Sequence, residues 1–281
     1  YLKLNTWAAG LLLLSLSYFI LLVELIERWE TVPAWLWLSV PIVLTFITHY
    51  RGALHPTAAG QLGLVAMFMQ MPWLLGRPLD SWVAIATFAI GFITTGFNSS
   101  VWRSYWASFF TVGFGLWLTH VVLWRGLVSN MSNSAGRMLI FSAIITWSLW
   151  LLNRGLRQRS DEMGVLYIKA TKQWGALFLL AMLGWGSLLA ASGIAFLEGA
   201  PPSETDYLNY VVVSMVLLAA ALVEYIRHRP MEWRYWSLGW TVAIAVVLGL
   251  VIRGVTTAQI GIVMIALGFL VHIAGDVWAI R

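Results

Sequence analysis

Ten long apolar runs, each bounded by charged residues or by proline and glycine, decide what this chain can fold into. They cover residues 7–27, 34–50, 57–75, 81–98, 105–128, 136–152, 172–198, 209–227, 235–252 and 257–279. An α-helix rises about 1.5 Å per residue, so roughly 20 residues cross the ~30 Å hydrocarbon core of a bilayer. Within that core only helices and closed barrels satisfy their own backbone polar groups. The runs therefore predict an all-α, polytopic transmembrane bundle of about ten spans. The run at 11–26 is too long for the apolar core of a signal peptide, and no A-x-A site follows it, so it is read as the first span.

Composition supports the same class. The chain is 60% hydrophobic and 10% charged, against roughly 45–50% and about 25% in soluble proteins. Seventeen Lys and Arg with twelve Asp and Glu cannot clothe a soluble surface for 281 residues, so lipid must replace water around most of the molecule. A net charge of +5 would suggest nucleic acid in a soluble chain. In a membrane protein it reflects Lys and Arg held at the cytoplasmic rim. The expected partner is thus the lipid bilayer, with other membrane subunits as candidates and no nucleic acid. The chain has no cysteine, which excludes disulfides, thiolate metal sites and cysteine nucleophiles.

The basic residues also orient the bundle. With the N-terminus inside, the inner segments carry Lys3, Arg51, Arg103, Arg154, Arg157, Arg159, Lys169, Lys172, Arg227, Arg229, Arg234 and Arg281. The outer loops carry only Arg28, Arg77, Arg125, Arg137 and Arg253. This asymmetry predicts that both termini are cytoplasmic, in a bacterial inner membrane, with the acidic loop 198–206 outside. Residues 1–281 form one integral membrane domain, with candidate sub-bundles 1–152 and 172–281 joined by a basic connector, 153–171. The connector is read as a solvated link between two bundles; the alternative is a short helix opened by Ser160, Asp161 and Glu162 that lays Val165, Leu166 and Ile168 on the membrane surface. Trp29, Trp35, Trp37, Trp102, Trp106, Trp124, Trp233 and Trp236 stand near span ends, where indole rings anchor proteins in the interface.

A short internal repeat accompanies this pattern. Leu22-Val23-Glu24 matches Leu222-Val223-Glu224, Arg51-Gly52 matches Arg253-Gly254, and Gln61-Leu62-Gly63 matches Gln259-Ile260-Gly261. One reading is that spans 1–3 repeat as spans 8–10, inverted by the shift of seven spans as in many secondary transporters; the alternative is chance matching between apolar helices drawn from Leu, Val, Ile and Gly. Trp102-Arg103 and Trp124-Arg125-Gly126 give a poorer third copy. Ten spans in under 300 residues is similar in count and size to the drug/metabolite transporter superfamily. That family consists of two five-helix halves, unlike the three-span repeat here, so no family is assigned.

Ionisable groups within spans are costly and each needs a reason. Glu24 precedes Arg28 by one turn and Glu224 precedes His228 by one turn, which admits interfacial ion pairs. Their alternative is a proton or cation site. His272 and Asp276, four apart, share one face of the last span, where a carboxylate can orient an imidazole. Such a pair suits a structural hydrogen bond or a proton relay. His120 is a second deep histidine, and Gln70 with Pro72 and Pro41 brings a polar group and two candidate kinks. Together His272, Asp276, Glu24, Glu224, His120 and Gln70 form the candidate solute or proton site. Thr94, Thr95 and Asn98 suit interhelical hydrogen bonds, while Gly91 with Gly96 and Gly184 with Gly186 suit close helix approach. No enzyme signature is present: there is no H-E-x-x-H, G-x-S-x-G or Walker A pattern. No cofactor and no metal are expected. The functional expectation is a small-solute permease of unknown substrate. A membrane scaffold, assembly component or membrane part of a larger protein is the alternative. A tetrapyrrole-binding subunit using His49, His120 or His272 comes third.

Overall fold

The computed structural model describes Ser17 and residues 81–128, 131–158, 161–196, 205–228 and 232–279. The spans expected at 7–27, 34–50 and 57–75, with Glu24, His49 and Gln70, lie outside the described residues, as do the side chains of Thr94, Asn98, Trp102, His228 and Asp276. Among the described residues the regular structure is entirely helical. Its helices are α1 (Ser81–Trp102), α2 (Tyr105–Leu123), α3 (Ser134–Leu156), α4 (Glu162–Phe196), α5 (Thr205–His228), α6 (Glu232–Ile252) and α7 (Thr257–Ala279). Five helical stretches are long and apolar enough to cross a membrane: Tyr105–Val128, Ser134–Leu156, Glu162–Ala195, Thr205–Arg227 and Trp233–Ile252. Among the described residues the chain is all-helical and suited to multiple passes through a membrane.

Two boundaries differ from the sequence expectation. From Glu162 the connector is neither a solvated link nor a short separate helix but the start of α4, which runs unbroken for 35 residues. No proline interrupts it, and at 1.5 Å per residue it is roughly 50 Å long, well beyond the ~30 Å hydrocarbon core. The two Arg-Gly pairs also diverge. Arg125-Gly126 sits in a π-helical turn, Trp124–Val128, that prolongs α2. Arg253-Gly254 ends α6: Gly254 has φ 68°, its N–H donates to Val251 O at 3.0 Å, and Val255 N–H donates to Leu250 O at 3.1 Å. This pair of bonds is a Schellman cap, which closes a helix through one left-handed residue and favours glycine there.

The chain divides into two compact units. The first contains α1, α2, the end of α3 from Leu151 and the start of α4 to Trp174. In it α1 and α2 turn back on each other through Arg103-Ser104, with Arg103 at φ 47°. Small residues line their contact. The hydroxyls of Ser99 and Ser108, both buried, are 2.7 Å apart, and Gly96 faces Thr111. In lipid, where apolar burial adds little between helices, small side chains and interhelical hydrogen bonds supply association. Thr95 is buried too, but its hydroxyl donates back to Gly91 O at 2.8 Å on its own helix.

The second unit contains α3 up to Trp150, α4 from Gly175, and α5, α6 and α7. Its core gathers Ala143 and Trp150 of α3, Leu179, Met182 and Leu183 of α4, a stripe from α5, Ile244, Val247, Leu248 and Val251 of α6, and Ile260 of α7. The α5 stripe, Leu208, Val211, Met215, Leu218 and Leu222, repeats at alternating spacings of three and four, the seam that one helix offers its neighbours. Outward-facing tryptophans still find acceptors. Trp185 Nε1 donates to Tyr207 Oη at 2.9 Å and Trp240 Nε1 to Ser187 Oγ at 2.8 Å. An indole N–H facing hydrocarbon has no water to bond, so a neighbouring helix must supply the acceptor.

Candidate functional site

The least expected group is Arg234. The charge count places it on the cytoplasmic rim, yet it is 1% exposed, the largest fully buried side chain among the described residues. It enters at the third residue of α6, and its guanidinium carbon lies 3.6 Å from the ring centre of Tyr225 on α5 and 5.0 Å from that of Trp233. Tyr225 in turn stacks on Trp150 of α3, with ring centres 5.2 Å apart and planes at 28°. The Trp150 indole rests against α4 at Gly175, where an added Cβ would stand 2.6 Å from Nε1. One column, Gly175, Trp150, Tyr225 and Arg234, thus joins four helices of the second unit. The π-faces offer the cation an electrostatic partner, worth about 2 kcal/mol or more once water is excluded. Glu224, half-buried, is next to Tyr225 in the chain. A guanidinium fork held in this way suits recognition of a carboxylate or phosphate.

A second polar node lies in the first unit, at the end of α3. Asn153 is buried, and its amide nitrogen donates to Ile168 O at 2.7 Å and Thr171 Oγ1 at 3.0 Å. Its Oδ1 accepts from Arg157 Nε at 3.2 Å. The carboxamide therefore uses both donors and its acceptor, as a buried amide must. It ties α3 to the polar start of α4.

Of the residues singled out from sequence as a solute or proton site, His120, Glu224 and His272 have described side chains, while those of Glu24, Gln70 and Asp276 lie outside the described residues. His120 belongs to the first unit, half-buried on α2, with Nδ1 2.8 Å from Leu116 O and its ring tilted against Trp117. A histidine nitrogen facing a carbonyl carries the proton, so Nδ1 donates. Glu224 and His272 belong to the second unit, Glu224 half-buried on α5 and His272 exposed on α7. Among the described residues, no three His, Asp or Glu gather closely enough to hold a metal ion. Sequence reading missed Arg234 and Asn153. Tyr225 and Trp233 flanking the α5–α6 corner were the available signal for the first; a lone Asn at a span end gave none for the second. Comparison of the chain with protein-family models, with curated proteins and with solved structures finds no match.

Proposed function

We propose that the chain is a ten-span protein of a bacterial inner membrane, with both termini cytoplasmic, that acts as a small-solute permease. In this reading spans 1–3 and 8–10 form the inverted repeat, and small anions are the first solutes to test. The observation that carries it is the burial of Arg234 at the start of a membrane-spanning helix. A charge taken out of water costs several kcal/mol, roughly 2.5–3.5 kcal/mol even on insertion scales, and intramembrane charges commonly mark solute or ion paths. A second reading, a non-transporting scaffold or assembly component, is favoured by the continuous apolar core of the second unit.

Arg234→Met separates the two. Met fills a similar volume, and replacing a buried charge by an apolar side chain is often neutral for stability. Proteoliposomes are placed in iso-osmotic solutions of small anionic and neutral solutes and their swelling followed by light scattering. The permease reading expects swelling above protein-free vesicles for at least one solute, and its loss in a monodisperse Arg234→Met protein. No swelling with any solute, or swelling that survives the substitution, refutes it in favour of the scaffold.

A further inference from the structure

The start of α4 is fixed in depth by its rungs to α2. Tyr105 is the first residue of the span Tyr105–Val128. One turn in, Phe109 O accepts from Trp174 Nε1 at 2.8 Å, and the two rings stack with centres 4.8 Å apart. Further out, Lys169 Nζ stands 4.5 Å from the centre of the Tyr105 ring. Taking Tyr105 as the end of the apolar span, Trp174 lies within it and Lys169 at its mouth, the depth of lipid headgroups. The residues from Glu162 to Lys169 project roughly 10 Å beyond, at 1.5 Å each. Glu162, Val165 and Lys169 on this projecting part, and Lys172 one turn inward, are all exposed, and their spacing of three and four makes them one stripe.

Most other charges beside this stripe are engaged. Glu162 accepts from Arg103 Nη1 at 2.6 Å, and Arg157 turns inward to Asn153. Asp161 lies at the outer end of the helix, about two turns from Lys169. Lys169, against the Tyr105 ring but exposed, and Lys172, one turn inward, are thus the two cations of the outward stripe, at and just below the mouth. Trp106, 48% exposed at the start of α2, offers an interfacial ring beside acyl chains. We propose that Lys169 and Lys172 seat the phosphate of an anionic phospholipid at the membrane edge of the first unit. Lys supplies a point charge to a phosphodiester without requiring bidentate geometry, and each juxtamembrane basic residue contributes about 1 kcal/mol of attraction to anionic lipid.

The test is lipid retention by the full chain in detergent, read by native mass spectrometry and by the melting temperature, with phosphatidylglycerol, phosphatidylcholine or inorganic phosphate added. Phosphatidylglycerol is expected to be retained and to raise the melting temperature, with phosphatidylcholine and inorganic phosphate giving neither effect. The double variant Lys169→Gln, Lys172→Gln is expected to bind phosphatidylglycerol about 30-fold more weakly, roughly 2 kcal/mol at 1.4 kcal/mol per tenfold. Arg103→Gln, whose guanidinium is already paired with Glu162, is expected to keep most of the affinity. The double variant loses only the exposed Lys169–Tyr105 contact, worth about 0.5–1 kcal/mol, so it should melt close to the wild type without added lipid. Equal retention of the two lipids, an equal effect of inorganic phosphate, or full phosphatidylglycerol affinity in the double variant overturns the proposal.

Discussion

Gly175 gives the sharpest test of how the second unit is held together. It lies on α4 against Trp150, and a methyl group added there would meet Nε1 at 2.6 Å and Cδ1 at 2.9 Å. Both distances are shorter than side-chain carbons accept, and the indole cannot simply swing away because Tyr225 stacks on it. Overpacking of this kind costs about 1–3 kcal/mol. Alanine also gains about 1 kcal/mol over glycine in a helix, which partly masks the clash. Gly184, on the same helix, removes the ambiguity, because a Cβ there meets nothing within 4 Å. Both substitutions carry the same helix-propensity gain, so the difference between them isolates the clash at about 1–3 kcal/mol. Gly175→Ala should therefore unfold more readily than Gly184→Ala by that amount in denaturant titrations in mixed micelles. Trp150→Phe should cost stability alone yet recover part of the Gly175→Ala loss when combined with it, a non-additivity expected of residues in contact. If Gly175→Ala and Gly184→Ala are equally stable, the close approach of α3 and α4 at this point is wrong.

Three further outcomes follow from individual contacts. Ser99→Ala and Ser108→Ala should each weaken the α1–α2 contact, with a coupling of about 0.6 kcal/mol in a double-mutant cycle of unfolding. A coupling near zero would mean that the 2.7 Å contact does not help hold the pair. Asn153→Ala removes three hydrogen bonds and leaves a gap. At about 1 kcal/mol per bond it should cost about 2–3 kcal/mol and speed proteolysis between α3 and α4, whereas unchanged cleavage would argue against the tie. Gly254→Ala places a side chain at φ 68°; it should lower stability by about 1–2 kcal/mol, measured against Gly249→Ala, whose added Cβ meets nothing within 4 Å.

The glycines show where sequence reading stopped. Gly184 with Gly186 suggested close packing by spacing alone. Gly186 does meet Ile244 and Met215, with an added Cβ 3.0 Å and 3.2 Å away, but Gly184 faces open space. The closest contact on α4 is at Gly175, which no spacing singled out. A glycine on an apolar helix is available for close approach at any position, and only the neighbouring helix selects which one is used. Thr95 teaches the same lesson for polar groups, since it bonds to its own helix while Ser99 and Ser108 make the interhelical bond. His120 and Glu224 drew notice as ionisable groups in apolar runs, but burial and partners, which sequence does not encode locally, are what distinguish Arg234 from them.

The sequence by itself determined that the chain is helical and built to cross a membrane, because length and lack of charge in each run leave the backbone no other way to satisfy itself in lipid. It also determined where α2 and α7 begin, since a charged break, Arg103-Ser104 and Arg253-Gly254, precedes each apolar run. Tertiary structure alone decided that Arg234 is inside. Its position at a span start is compatible with either a headgroup-facing charge or a buried one, and the difference lies in Tyr225, Trp233 and Trp150 arriving from two other helices and from its own first turn. Tertiary structure also decided that the basic start of α4 is a rigid extension of a span rather than a solvated link, because Asn153 and Phe109 supply acceptors and donors that its own sequence does not contain.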